Sequence, residues 1–326
     1  MKKYKAWAYI LITFLLCGIF YYYKERFITA IKHPKDFILV FAHASQITKF
    51  SLSFFLSSLG ISTFAFLIEL LIVGWSNSAL KRTISKPSKS AWIDNLCYLL
   101  SITKLFEFIS FVSTLGIFYF LISLLQHVMQ PNLGSYIPNK YIQFAFLFIL
   151  ADFINYLRHR FNHWGALWEL HNYHHSAKEF NIITSTRGSF LEAGFNSIFF
   201  SIIYFIGGIS LEPIVLVIVA RELHIQLNHS NINSSYGIIG KYILLTPLDH
   251  KLHHSIHQED YDKNFGAVFK WWDILFKTYK KPCTPIEIGI TDADYENESF
   301  IRGQLNANKR FAQKTITFFS DRIARK

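Results

Sequence analysis

The chain has 326 residues, enough for one large domain or two modest ones, with 51% hydrophobic and only 17% charged residues. Soluble domains carry roughly a quarter charged residues, so this composition, with a mean hydropathy of +0.24, points to a polytopic membrane protein. The net charge of +11 sits mostly in loops beside apolar runs, which favours anionic lipid headgroups over nucleic acid, for which no motif is present. Three widely spaced cysteines, Cys17, Cys97 and Cys283, form no CxxC pair, which excludes a disulfide framework, a zinc ribbon and an internal iron–sulfur centre.

A bilayer-spanning helix needs roughly 20 apolar residues. The first candidate, Ala6–Tyr23, follows Met1-Lys2-Lys3-Tyr4-Lys5. The flanking Tyr21-Tyr22-Tyr23-Lys24-Glu25-Arg26 offers no small-residue cleavage site, so this run reads as a retained anchor rather than a cleaved signal. The second candidate is Phe50–Trp75, with Glu69 as its one charge. The third lies within Leu96–Leu125, where Lys104 and Glu107 put the start of the apolar part near Phe108. The fourth, Tyr141–Leu157, contains Asp152. From Phe195 to about Ala220 the chain is apolar but interrupted at Gly207-Gly208 and Glu212-Pro213, which predicts a helical hairpin.

The loop Lys81–Lys89 carries Lys81, Arg82, Lys86 and Lys89 and no acid, whereas Gln126–Lys140 has a single Lys. The positive-inside rule makes the first loop cytoplasmic. That orientation sends the end of the fourth helix, both ends of the hairpin and the C-terminal region to the cytoplasm. The basic segment Lys24–Lys49 opposes this unless it lies as an interfacial helix. The expected fold is an all-α integral membrane protein. It is a transmembrane helical bundle with a cytoplasmic helical cap that carries a histidine-rich di-metal site.

The histidines are unevenly spread. His159 and His163 are four apart, His171, His174 and His175 form an HxxHH, and His250, His253 and His254 form another. Offsets of three and four put rings on one face of a helix. His224 and His229, five apart, follow the hairpin. Neutral imidazole is a good ligand for iron, zinc and copper. One metal takes about four to six ligands, so nine or ten histidines exceed one site and suit two. A buried cluster without metal would leave rings that repel when protonated or lack partners when neutral. Solitary histidines are more often surface or satisfied residues, which is the reading for His33, His43 and His127; His257 is a supporting or surface residue. Glu169 and Glu179 flank the clusters, but the paired Glu-x-x-His of soluble di-iron bundles is absent. A structural zinc site remains an alternative, although such sites usually include Cys.

The order HxxxH, HxxHH, HxxHH resembles the fatty acid hydroxylase/sterol desaturase superfamily of integral-membrane oxygenases. The likeness includes Asp152 ahead of the first motif, the stretch His174-His175-Ser176 with Glu179-Phe180-Asn181 and Arg187, and Thr246-Pro247 before the last motif. It continues through Asn264-Phe265-Gly266 and the closing Trp272-Asp273-Ile274-Leu275-Phe276-Lys277-Thr278, where Lys277 stands in place of the usual glycine. It covers about Tyr141 to Tyr279.

The expected organisation is an N-terminal transmembrane region at 1–140, read from its hydrophobicity, a catalytic domain at 141–285, implied by the resemblance, and a cytoplasmic tail of mixed charge at 286–326. The resemblance implies two non-haem iron ions and O2 as co-substrate. It also implies a membrane lipid that is hydroxylated, desaturated or cleaved, and an external electron donor that is cytochrome b5-like, ferredoxin-like or a reductase. The ligands carried over are His159, His163, His171, His174, His175, His229, His250, His253 and His254, with His224 as a tenth. Asp152 is expected to orient a ligand ring or to line the bundle. Asn181 and Arg187 are expected to position a headgroup or, for Arg187, to anchor at the bilayer surface. A non-catalytic zinc-binding membrane protein is the alternative from a different class.

Overall fold

The computed structural model describes residues 52–85, 87–114, 116–117, 121, 136–207, 211–283, 285–291, 295 and 298–323. The expected anchor Ala6–Tyr23, the segment Lys24–Lys49 and residues Cys17, His33, His43 and His127 lie outside them. The described residues are helical and contain no β-strand; two isolated bridges, Leu244 with Phe269 and Ser255 with Ile288, join loops.

The second apolar run forms α1 (Leu52–Val73), followed by α2 (Ala79–Ser85). Glu69 is fully buried and accepts hydrogen bonds from the backbone N–H groups of Ala79 and Asn231, at 3.0 and 2.6 Å. The lone charge of this helix therefore ties its end to α2 and to the loop after His229.

The third run is not one straight helix. It breaks into α3 (Lys89–Ile102) and α4 (Leu105–Ser113), bent by 89°. Thr103 closes α3 by bonding back to Leu99, and Lys104 adopts a left-handed φ of 62°. The charged pair that marks a boundary in the sequence is thus the corner itself, with Lys104 and Glu107 joined at 2.8 Å.

The fourth run becomes α5 (Lys140–Asn162), capped by the Asn139 side chain and continuing through His159. Among the described residues it is the one single helix long and apolar enough to cross a membrane; the bent α3–α4 pair makes a second if counted as one span. The interrupted stretch forms two helices, α7 (Phe190–Gly207) and α8 (Leu211–Asn228). α5 packs against both, α4 packs on α7, and α1 packs on α8. Leu71, Tyr141, Ile142, Leu216 and Ile218 face outward from this bundle.

Beyond the ends of α5 and α8 sits a polar layer of short elements: α6 (Trp168–His175), α9 (Gly237–Tyr242), α10 (Pro247–His253) and α11 (Trp271–Leu275). The Thr246-Pro247 pair is a helix start: Thr246 caps α10 in a box with Asp249, and Pro247 occupies the first turn. The tail forms α12 (Phe300–Ile323), which packs on α6, with Arg310 and Lys314 bonding Glu169.

Lys277 lies just past α11 with φ 59°. This is the left-handed position that closes many helices and favours glycine. A side chain there costs about 1–2 kcal/mol, and glycine returns about 0.5–1 kcal/mol of that as chain entropy. Lys277→Gly is therefore expected to raise the melting temperature by about 1–3 °C, read by circular dichroism in detergent. A fall would show that the Lys277 side chain contributes more than its backbone costs.

Candidate metal centre

The last turn of α5 presents His159, and its C-cap is His163. α6 supplies His171, His174 and His175. His229 follows the end of α8, while α10 carries His250 and His253 and is capped by His254. These nine rings converge in two groups: His159, His163, His171, His175 and His253; and His174, His229, His250 and His254. Within each group the nitrogens offered lie within 4.8 Å of one another.

The HxxHH spacing explains the division. In α6 the i and i+4 rings, His171 and His175, join the first group, and His174 joins the second. In α10 the i and i+4 rings, His250 and His254, join the second group, and His253 crosses to the first. Each HxxHH therefore serves both groups and fixes them side by side, with the rings of His175 and His254 stacked at 4.1 Å.

Five rings are oriented by their outer nitrogen. The Nδ1–H groups of His159, His174, His229 and His253 donate to the carbonyls of Phe265 (2.9 Å), Arg187 (3.0 Å), Ile225 (2.9 Å) and Lys263 (2.6 Å). The Nδ1–H of His171 donates to Glu192 Oε1 at 2.7 Å. Each such bond fixes the tautomer and leaves Nε2, with its lone pair, pointing inward.

Inside, the donors lack ordinary partners. His171 Nε2, His253 Nε2 and both nitrogens of His254 are buried without a hydrogen-bond partner. Other Nε2 atoms face one another: His163 and His175 at 3.1 Å, His174 and His229 at 3.3 Å, His229 and His250 at 3.0 Å. Two imidazole nitrogens bound to one metal at about 2.0–2.1 Å are held roughly 2.9–3.4 Å apart. The spacing, the orphaned lone pairs and the outward-anchored tautomers all fit metal ligation. The donor set is entirely imidazole, which suits iron, zinc, copper or nickel and not magnesium or calcium.

His224 does not join either group. Its Nε2 bonds the Leu245 carbonyl at 2.9 Å, bracing the strand of chain that enters α10. A spacing of five cannot bring both rings of this pair to one point on a helix. Asp152 does not orient a ligand ring either. Its oxygens accept from the N–H groups of Val268 and Phe269 and from Trp272 Nε1, at 2.9–3.0 Å.

Asn181 and Arg187 also have tasks other than meeting a headgroup. Asn181 caps the 3-10 helix Ile182–Thr186 and donates to Thr83. The buried Arg187 guanidinium donates to Asp94, Ser90, Ser176 and the Tyr173 carbonyl, so its donors are spent internally. That network holds still the carbonyl that receives His174.

Sequence reasoning missed Glu192, whose Oε1 also accepts from Asn162 at 3.0 Å and Asn196 at 3.3 Å. It lies 21 residues beyond His171 on another helix, and no spacing rule joins them. The carbonyls of Phe265 and Lys263 carry no sequence signal, although Asn264-Phe265-Gly266 marks their turn. Gly266 is required there: an added Cβ would lie 2.7 Å from the Phe269 carbonyl and 2.9 Å from Asp273.

The basic stretch around α2 lies against the same layer. Arg82 donates to the Phe180 carbonyl at 2.8 Å, and the Phe180 ring covers His229, His250 and His254. On the bundle side a cavity of about 410 Å³ reaches His159, His171, His174, His229 and His250 between α4, α5, α7 and α8.

Residues 144–278 match the fatty acid hydroxylase family model. The chain is 30% identical over 138 residues to alkylglycerol monooxygenase of Caenorhabditis elegans, covering 41% of this chain and 26% of that protein. It is 32% identical over 147 residues to ornithine lipid hydroxylase OlsE of Rhizobium tropici, covering 44% of each. It is 27% identical over 146 residues to methylsterol monooxygenase erg25B of Aspergillus fumigatus, covering 43% of this chain and 48% of that protein. The match thus spans under half the length of these relatives. No solved structure is significantly similar.

Two outcomes follow from the anchoring bonds and from burial. Glu192→Ala removes the acceptor for His171 and is expected to lower metal affinity about 10–100-fold, with a smaller loss for Glu192→Gln, which keeps an accepting oxygen. Metal retained against graded chelator measures both. Burial lowers His253 to about 3 and His229 to about 4, against 6.5 ordinarily. The unfolded chain therefore takes up protons first: stability is complete above pH 6.5 and is lost as pH falls towards 4 and 3. Metal-stripped protein should melt progressively lower between pH 7 and pH 5. A flat profile over that range would contradict the neutral, buried state of these rings.

Proposed function

The chain belongs, through residues 144–278, to the fatty acid hydroxylase/sterol desaturase superfamily, and we propose that it is a membrane-bound oxygen-dependent lipid hydroxylase with a non-haem di-iron centre. One observation carries this reading: nine histidines, eight of them buried and His163 partly so, in two interlocked groups inside the matched segment. The five-ring group would hold one iron and the four-ring group the other. Bound there, the pair would supply the redox chemistry that activates O2 for insertion of one oxygen atom into a C–H bond. The other oxygen atom leaves as water, which requires two electrons and two protons from an external donor.

The residues of the chain have defined parts in this scheme. The carbonyls of Phe265, Arg187, Ile225 and Lys263, with Glu192, hold the imidazoles neutral and aimed inward. The Phe180 ring closes one side of the second group and excludes water from it. The cavity between α4, α5, α7 and α8 brings the lipid to His159, His171, His174, His229 and His250.

The reading includes a multi-pass topology with the site on the cytoplasmic side. Its support is the positive-inside rule applied to the basic stretch whose Arg82 bonds Phe180 beside the rings. Residues 141–285 form the catalytic unit and residues 286–326 a tail at its cytoplasmic surface.

Purified protein is expected to contain two irons per chain. Lipid mass spectrometry of cells with and without the gene should show a lipid gaining one oxygen atom. Loss of two hydrogens instead would make the protein a desaturase. His254→Ala is expected to remain in the membrane fraction and form no product, since His254 offers one nitrogen to the second group and has no other hydrogen-bond partner for either nitrogen. Zinc alone in the protein, with no oxygen uptake under any reductant, would overturn the oxygenase reading.

A further inference from the structure

The cavity beside the histidines has an unusual wall for a site that would receive only hydrocarbon. Its charged side chains are Glu107, Arg158, Arg187 and Glu192. Three of these are matched: Glu107 with Lys104 at 2.8 Å, Arg187 with Asp94 at 3.1 Å, and Glu192 with His171 at 2.7 Å. Arg158 forms no carboxylate ion pair among the described residues. Its Nη2 and Nε donate to the single oxygen Asn155 Oδ1, at 2.9 and 3.2 Å, and its guanidinium lies 5.8 Å from the Phe200 ring centroid. The Nη1 donors are left for a ligand. A planar guanidinium whose plane is fixed on one edge is suited to an oxygen of a phosphate or carboxylate on the other.

The surroundings reinforce that preference. Arg221 on α8 lies within electrostatic reach of Arg158, is 7% exposed, and has an Nε buried without a partner. Two acids act on it: Asp152, whose oxygens are committed to Val268, Phe269 and Trp272, and Glu222, which accepts from Gln226. Two guanidinium groups close together in a poorly hydrated site repel unless an anion joins them. Glu192 is the carboxylate whose field reaches Arg158, but it forms no ion pair with it and its Oε1 is committed to His171, Asn162 and Asn196. The nine imidazoles add no further negative charge, so bound metals would leave this end of the cavity with a cationic excess. Arg158 also immediately precedes His159 in α5, so an anion held by it sits beside the metal ligands.

We infer that Arg158, oriented by Asn155 and backed by Arg221, is an oxyanion subsite that receives the phosphate-bearing headgroup of the lipid and sets which part of it faces the histidines. This rests on the hydroxylase reading for the identity of the ligand as a lipid. It implies that the modified carbon lies near the headgroup rather than at the methyl end of a chain.

The test uses the iron-loaded full chain in neutral detergent and two probes with the same acyl chain, 1-oleoylglycerol 3-phosphate and 1-oleoylglycerol. Binding is followed by tryptophan fluorescence, and oxygen uptake is recorded separately. The phosphate lipid is expected to bind about 10-fold or more tighter, as one charge-assisted contact allows. Arg158→Gln should erase that difference, and Arg158→Lys should restore part of it, with iron content equal in all three proteins. Inorganic phosphate should fail to displace the lipid at matched concentration.

Equal binding of the two lipids by the unaltered protein would overturn the inference, and that measurement stands even if the Gln variant fails to fold. A preference that survives in Arg158→Gln would overturn it too. Displacement by inorganic phosphate at matched concentration would assign the site to a free anion and not to a headgroup. Headgroup preference without oxygen uptake under any reductant would sink the hydroxylase reading while leaving the subsite. Oxygen uptake with only the neutral lipid would do the reverse.

Discussion

Nine imidazole rings share one buried volume in this protein, and a buried imidazole is tolerable only if it stays neutral and both its nitrogens are satisfied. The chain meets half of this demand itself, by giving the Nδ1–H of five rings a carbonyl or carboxylate to bond. The inward half is left to something that accepts several lone pairs at once. Hydrogen bonds between rings cannot meet it throughout: the facing Nε2 atoms of His174 and His229 have no proton to share once Nδ1 carries it, and the Nε2 atoms of His171 and His253 have no partner at all. The arrangement has the form of a ligand shell, with five of its nine rings fixed from the outside.

Two of the five anchoring bonds depend on one turn. Residues Lys263 to Gly266 supply the carbonyls for His253 and His159, and so join the third histidine motif to the first. The turn is held from three sides. Asn264 bonds the Asp249 and Lys280 carbonyls, Asp273 accepts from the N–H groups of Phe265 and Gly266, and Asp152 grips Val268, Phe269 and Trp272. Lys270 adds a buried ion pair to Asp249, which completes the capping box with Thr246 at the start of α10. Asp152, the acid expected to orient a ligand ring, is spent with Asp273 on backbone N–H groups and on the Trp272 and Thr278 side chains. Their effect on the centre is indirect: they fix the distance between helices that carry ligands.

The second motif has its own frame. The Arg187–Asp94 ion pair is buried, and such a pair contributes little net stability compared with apolar packing. What it does is join α3 to the chain that presents the Arg187 carbonyl to His174. A carbonyl held on one side by a guanidinium network cannot drift, and neither can the imidazole bonded to it. The same logic leaves Arg158 distinct, since Asn155 orients its guanidinium while, among the described residues, no carboxylate forms an ion pair with it and Glu192 reaches it only through its field.

The sequence by itself determined the class of fold, the helical regions around Leu52–Val73 and Lys140–Asn162, and nine of the histidines that meet at the centre. These are local properties: apolar run length sets a helix, and offsets of three and four set a shared face. Only the tertiary structure decided that each HxxHH divides between two groups, because that depends on the angle at which α6 meets α10. It also decided that His224 faces Leu245, that Lys104 is a corner, and that Asp152, Asn181 and Arg187 brace the backbone. Glu192 was invisible for the same reason. Its partner is far along the chain and on a different helix, and helical periodicity carries no information about which faces of separate helices meet.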